Sequence, residues 1–245
     1  MPKKHRITSQ AKKRKNFNIY GLSSGLEFLR FSPEKVAKIT IPLSSEESFM
    51  KTLLNEGIEV DPSIIEFDDL AREAEFGLVL NTSTEDQLLQ AVESDKPPMI
   101  VALDHISDPR NLGAIVRTAA FFGIEHVLVP ARRQVLMTEI AVQTAQGGFA
   151  VVDLSVVSNL GRVLNRLKES GFWIVGADME GEPVEGLKGF YDHTCLVMGS
   201  EGEGLSHGIR TKCDRIAAIN SHASRKIDSL NVSVAAGISI ASLLK

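Results

Sequence analysis

The chain has 245 residues, 43% of them hydrophobic and 24% charged, enough to bury a sizeable core as one large domain or two unequal ones. No run approaches the roughly 18 apolar residues a membrane span needs, and no apolar segment follows the basic N-terminus as in a secretory signal, so neither is expected and the expected location is cytoplasmic. Cys195 and Cys213 lack metal-ligand spacing and suggest no disulfide framework, so no metal is expected.

The net charge of −4 hides an asymmetry. Residues 1–16, MPKKHRITSQAKKRKN, carry seven basic side chains and no acidic one, which leaves 20 basic against 31 acidic residues in the remainder. A flexible cationic arm on an acidic body fits contact with a polyanion, and equally a solubilising tail. The acidic body confines any nucleic-acid contact to a local surface. Residues 17–81 read as a small α/β unit: a helical pattern in NIYGLSSGLEFLRF, a strand over 36–43, and a helix over 44–57 with Ser44 as N-cap, Glu47 completing a capping box and Gly57 as stop. Strand, short helix and strand then follow up to residue 81. The polar segment 82–98, with its proline pair, reads as a short helix and linker with a domain boundary near residue 95.

Beyond it, continuous apolar runs at 99–104, 126–130, 149–154, 172–178, 194–199 and 215–220 read as strands covered on both faces. Helices are expected over 111–122, 137–146, 156–170, 205–212 and from about 231, the first three ending at Gly123, Gly147 and Gly171. This alternation predicts a mostly parallel sheet in an α/β domain over 99–245.

Ligands of open α/β sheets bind outside the carboxyl ends of the strands, and three such ends are polar beyond what a turn requires. In ALDHISDPRNLGAIVRTAAFFG (102–123), Asn111 is placed to cap the next helix, and Arg117 lies roughly 200° round that helix from Ile115, away from its apolar stripe. A capping Asn with a solvated Arg, and a pair of site residues, are both compatible with this segment. In VMGSEGEGLSHG (197–208), glycines at 199, 202 and 204 surround Glu201 and Glu203. The spacing is not that of a dinucleotide loop, and the carboxylates would repel a pyrophosphate, so the segment is either a neutral- or cation-binding loop or a plain turn. In INSHASRKIDSLNVSVAAG (219–237), Ser229 and Asn231 are both plausible caps where a helix needs one, which leaves a side chain for a ligand.

In their order along one α/β domain, DPRNLGAIVRTAAFFG, LVMGSEGEGLS and DSLNVSVAAGI resemble the three motifs of the SpoU-type (TrmH-like) RNA ribose 2'-O-methyltransferases of the SPOUT class, over about residues 99–245. The segment from IYGLSSGLEFLR resembles the small ribosomal-protein-like RNA-binding domain that precedes the catalytic domain in many members. The resemblance implies an α/β fold closed by a deep trefoil knot, S-adenosylmethionine as cofactor, RNA as partner, and a homodimer with its active site at the subunit interface. It places Met198, Gly199, Ile219 and Leu230 at the cofactor, and makes Arg117 the central catalytic residue, surrounded by Asn111, Glu201, Ser229 and Asn231. It implies methyl transfer to a ribose 2'-hydroxyl, of ribosomal RNA first and transfer RNA second. Where members usually carry Ile-Pro-Met, this chain has INSHASRKIDSLN, with His222, Arg225 and Lys226 in the loop. That departure motivates the alternative of a non-catalytic RNA-binding or ribosome-assembly factor that keeps the fold.

Overall fold

A computed structural model describes residues 14–132, 134–187, 192–220 and 229–244. The expected arm lies largely outside the described residues, as does most of the 219–228 loop with His222, Arg225 and Lys226.

The first unit comprises β1 (Lys15–Tyr20), α1 (Leu22–Phe31), β2 (Val36–Pro42), α2 (Glu46–Glu56), β3 (Ile65–Asp68) and β4 (Glu75–Leu80). Its sheet runs β1-β4-β2-β3, with β4 antiparallel to both neighbours and β3 parallel to β2. Ile19, Phe28, Ile39, Phe49 and Phe76 are fully buried inside it. The capping box expected from Ser44 and Glu47 does not form: residues Leu43–Ser45 make a 3-10 turn, and Ser45 holds the N-cap position without a side-chain bond. The acidic Glu46 and Glu47 still suit the positive end of α2, and Gly57 ends it in the left-handed conformation. The strand expected before Pro62 is displaced to β3, because Asp61 and Pro62 open a 3-10 turn instead.

The second unit comprises β5 (Ser83–Thr84), α3 (Glu85–Ser94), β6 (Met99–Leu103), α4 (Pro109–Phe121), β7 (His126–Pro130), α5 (Glu139–Ala145), α6 (Gly148–Val151), β8 (Asp153–Val157), α7 (Leu160–Glu169), β9 (Trp173–Pro183), β10 (Thr194–Met198), α8 (His207–Arg210), β11 (Arg215–Ala218) and α9 (Val232–Leu243). Its sheet runs β11-β9-β10-β6-β7-β8-β5, with every neighbouring pair parallel. All five residues of β6 and of β10 are buried, as continuous apolar runs in the centre of such a sheet should be. Alternate residues of β6 feed two cores. Met99, Val101 and Leu103 join that of α4, α5 and α9, while Ile100 and Ala102 join that of α3 and α7.

Three expectations change here. Segment 82–98 is no linker: β5 pairs with β8 at the sheet edge, a Thr84–Gln87 capping box starts α3, and Leu88, Leu89 and Val92 lie in the core. The run at 149–154 is not a strand from its start. Gly147 turns the chain at φ 91°, and Gly148 lies so close to α4 that a Cβ would stand 3.2 Å from the Arg117 backbone, so the chain completes the helical turn α6 before β8 begins. A short apolar run does not by its periodicity tell these conformations apart. The following helix consequently starts later, at Leu160, capped by Asn159.

The two units touch through α1 and α6. Ser32 Oγ donates to the Ala150 carbonyl at 2.6 Å, and Lys35 Nζ donates to those of Phe149 and Ala150 at 3.1 Å each.

Candidate active site

Three of the polar residues singled out in the sequence meet at the carboxyl end of the large sheet. Asp108, not Asn111, caps α4: its carboxylate accepts from Arg110 N at 2.8 Å, and Pro109 occupies the first turn. Asn111 is freed from that role. It is buried to 8% exposure, and its Nδ2 donates to Glu201 Oε1 at 2.7 Å. Asn231 caps α9 through Oδ1, which accepts from Ser233 N at 2.9 Å. Its Nδ2 lies 2.8 Å from Glu201 Oε1 and 3.0 Å from Asn111 Oδ1. Two amides thus converge on one carboxylate oxygen, and Oε2 of Glu201 accepts no hydrogen bond from a described residue. Bonds to the charged carboxylate are the strong kind.

The turn that carries Glu201 is built tightly. Ser200 and Gly204 exchange backbone hydrogen bonds of 2.9 and 3.1 Å. A Cβ at Gly199 would fall 2.2 Å from the Gly204 carbonyl carbon, so only glycine fits there. Two aspartates hold the turn from either side. Asp104, at the end of β6 and 2% exposed, accepts from Ser206 N at 2.8 Å through Oδ2 and meets His105 Nδ1 at 2.7 Å through Oδ1. Asp178, on β9, accepts from the backbone N–H of Leu205 and pairs with Arg210 at 2.6 Å. Burial by itself would raise the Asp178 carboxyl. The N–H groups of Glu180 and Leu205 and the Arg210 guanidinium outweigh it and hold the group below the ordinary carboxylate range. Sequence reasoning assigned these two aspartates no part; the available signal was a carboxylate at the end of an apolar strand, in MIVALD and FWIVGAD.

The other candidates are placed but not bonded into the cluster. Met198 ends β10, buried, with its carbonyl accepting from Asp104 N at 2.8 Å. Ile219 is half-buried against the core, and Leu230 stands 45% exposed just before α9. Ser229 is exposed. Arg117 is exposed, and its guanidinium makes no hydrogen bond or ion pair with a described residue. It lies six residues beyond Asn111, about 9 Å along α4 and roughly 120° round it, so the two side chains leave the helix in different directions.

Burial pushes the Cys213 thiol up to about 11 and raises that of Cys195 as well, so neither is a nucleophile near neutral pH. Among the described residues no group of His, Cys, Asp or Glu is arranged to hold a metal ion.

Residues 98–241 match the model of the SpoU rRNA methylase family. The chain belongs to that family. Among its relatives is a Mycobacterium avium (strain 104) protein named uncharacterized tRNA/rRNA methyltransferase, 42% identical over 159 residues, covering 64% of this chain and 50% of that protein. This SpoU-family chain thus spans about half the length of the curated relatives it matches. In fold it is similar to the SpoU methyltransferase AviRb from Streptomyces viridochromogenes, crystallised with AdoMet, at a TM-score of 0.69 and 20% identity over 93% of this chain and 88% of that one. It is also similar to a TrmH/SpoU tRNA modifying enzyme of A. aeolicus, at a TM-score of 0.51 and 27% identity over 64% of this chain and 79% of that one.

Proposed function

We propose that this SpoU-family chain is an S-adenosylmethionine-dependent methyltransferase acting on a ribose 2'-hydroxyl of RNA, with ribosomal RNA ahead of transfer RNA as the substrate. The observation that carries the reading is the hydrogen-bonded cluster of Asn111, Glu201 and Asn231, whose members lie 90, 30 and 120 residues apart in pairs. Asn111 is buried while Glu201 and Asn231 stay exposed, so the cluster is open to a ligand at the carboxyl end of the sheet, where open α/β sheets bind theirs.

The residues present fit the cofactor. The 199–204 turn carries Glu201 and Glu203 with no basic side chain bonded to them among the described residues, which suits a ligand bearing a positive sulfonium and no phosphate. Gly202 faces open space, and Leu230 and Ile219 offer apolar surface. Met198, Gly199, Ile219 and Leu230 would hold the cofactor, which when bound supplies an electrophilic methyl group. The two amides fix Glu201 so that Oε2 accepts the hydrogen bond of the 2'-hydroxyl and orients its oxygen. The guanidinium of Arg117 holds the neighbouring phosphate and stabilises negative charge as it develops on that oxygen. Ser229, beside the start of α9, orients the ribose.

Because Arg117 points away from Asn111 on the same helix, we place it in the site of a second copy, in a homodimer. In support, α9 is apolar on all sides, with Val234 50% and Ile238 37% exposed one turn apart. It packs on α4, whose Phe121 is 83% exposed. The same reading keeps the small N-terminal unit as an RNA-binding domain, a deep trefoil knot in the large domain and a cytoplasmic location. The return of α9 onto α4 and the likeness to SpoU structures support the knot. Among the described residues no helix is long and apolar enough to cross a membrane.

The test is Arg117→Ala. The side chain is exposed, so stability should change by no more than about 0.5 kcal/mol. Methyl incorporation into RNA should fall by about 10²-fold or more, with cofactor affinity by calorimetry unchanged. Wild-type activity in this variant overturns the role of Arg117. No cofactor binding by the native protein, alongside tight RNA binding, would establish the non-catalytic alternative.

A further inference from the structure

A groove of about 510 Å³ lies at the carboxyl ends of β6 and β7, against α7 and α8. Asp104, His105, Arg162, Asn165 and Lys212 are among the residues that line it. It is on the far side of the sheet from Asn111 and Asn231. Asp104 continues the face of β6 that holds Ile100 and Ala102 and packs on α3 and α7, whereas α4 and α9 cover the other face. The groove nevertheless abuts the turn that carries Glu201. Asp104 N donates to the Met198 carbonyl, Asp104 Oδ2 accepts from Ser206 N at 2.8 Å, and Ser206 is itself part of the groove wall. A strand of ligand crossing the carboxyl edge of the sheet passes from this groove to Glu201.

The groups left free in the lining are cations and neutral polar atoms. Its carboxylate, Asp104, is 2% exposed, and both oxygens are engaged, one by Ser206 N and the other by His105 Nδ1 at 2.7 Å. The Lys212 ammonium makes no hydrogen bond or ion pair with a described residue, and its stem lies along the first turn of α7, 4.0 Å from where a Cβ at Gly161 would stand. Arg162 gives only Nη2 to Glu85 and Ser158, at 2.9 and 3.0 Å, so its Nε and Nη1 remain for a ligand on a side chain 59% exposed. His105 is held at φ 66°, a left-handed backbone uncommon outside glycine. With Nδ1 committed to Asp104, Nε2 of this part-exposed ring is left for a ligand. The exposed Asn165 amide has no hydrogen-bond partner among the described residues either.

Outside residues 1–16 the chain has 20 basic against 31 acidic residues, so a groove with free cations and no free carboxylate is a local exception on an acidic body. Its chemistry is that of a sugar-phosphate chain. An ammonium and a guanidinium suit phosphate oxygens, while an imidazole nitrogen and an amide suit the 2'-hydroxyl of a ribose. An acidic polypeptide would use the cations and leave the two neutral groups idle. We infer that this groove holds the RNA backbone next to the nucleotide being methylated, with Lys212 and Arg162 on phosphates and His105 Nε2 accepting from a ribose hydroxyl. For the identity of the polyanion the inference rests on the RNA-methyltransferase reading. It extends that reading to a face of the sheet that supplies none of the proposed catalytic residues.

The test is binding of a single-stranded RNA oligonucleotide to the full-length protein by fluorescence anisotropy over a range of salt concentrations, with methyl transfer and cofactor affinity measured on the same samples. Lys212→Gln should bind about threefold to tenfold more weakly and lower the salt slope by about 0.7, whereas Lys212→Arg should bind as wild type does. His105→Asn, whose side chain tolerates the left-handed backbone, should weaken binding by a similar factor with the slope unchanged, since a neutral contact releases no counterion. Lys212→Gln and His105→Asn should raise KM for RNA and leave kcat and cofactor affinity as they are. Arg166→Gln, exposed on α7 outside the groove, should change nothing. Wild-type affinity and slope in Lys212→Gln overturn the proposal. So does a polyglutamate that competes as well as RNA, which would assign the groove to an acidic polypeptide. In the native protein, isotopically labelled, the His105 ring and Asn165 side-chain signals should shift when RNA binds; if they stay, the proposal fails whether or not a variant folds. Methyl transfer that does not depend on Lys212 sinks the groove alone. RNA binding that does depend on it, without methyl transfer, sinks the methyltransferase and keeps the groove, and no RNA binding at all sinks both.

Discussion

Asn231 does two jobs with one amide. Its oxygen caps α9 while its nitrogen joins Asn111 at Glu201. The jobs separate by substitution. Asn231→Ser keeps a capping oxygen and loses the donor, so stability should fall by about 1 kcal/mol or less while methyl transfer drops about tenfold. Asn231→Asp also keeps the cap but sets a second carboxylate against Glu201. Its activity at neutral pH should be lower than that of the serine variant. Methyl-transfer assays of the two variants side by side check this, and equal activities would refute it. Sequence reasoning divided these jobs between Ser229 and Asn231, because a helix start holding both has one capping group too many; in the structure both bonds are made by Asn231. Of its two readings of Asn111 the capping one fails, since Asp108 three residues earlier is an equally good cap and only the fold decides between them.

Among the elements, the turn after β10 carries the greatest constraint. It must bring Glu201 to two amides while its own backbone folds back within one bridge, Ser200 to Gly204. Gly199→Ala would drive a methyl group into the Gly204 and Leu205 backbone, which has no side chain to yield. We expect a loss of about 1–3 kcal/mol in thermal unfolding and a clear loss of cofactor affinity. Gly202→Ala, in the same turn but in open space, should be nearly silent in both measurements. Equal effects of the two would mean that the turn does not have the bridged form described above. The glycine spacing and the two carboxylates were readable in the linear order of residues. The clamps at Asp104 and Asp178 were not, because their partners, Ser206 N and Leu205 N, are backbone groups that any residue supplies.

For the whole molecule, the decisive matter is whether one copy is a complete enzyme. Placing Arg117 in the partner's site predicts complementation. Arg117→Ala and Asn231→Ser homodimers are each impaired at both sites, whereas a hybrid of the two holds one intact site. Mixing them under exchange should therefore restore activity to roughly a quarter of wild type, by the statistics of two-fold assembly. Ile238→Asp, on the exposed apolar face of α9, should leave a monomer by analytical ultracentrifugation, folded but inactive. No recovery on mixing, with exchange demonstrated, would place Arg117 in its own subunit's site.

The linear chain by itself determined the class of the large sheet, because a strand buried on both faces reads as a continuous apolar run, and β6, residues 127–130 of β7 and residues 195–198 of β10 are such runs. It also placed the three polar segments that carry the site, because polar and glycine-rich residues at strand ends stand out against such runs. It did not determine that 82–98 belongs to the large sheet. A two-residue edge strand and a polar, weakly apolar helix are marginal alone and hold only through the core beneath them. Nor could it show the groove against α7 and α8: His105, Arg162 and Lys212 lie far apart along the chain and line one surface only once β6, α7 and α8 are packed. Local pattern records what each segment prefers. Which groups are left facing one another is decided only when the segments are packed.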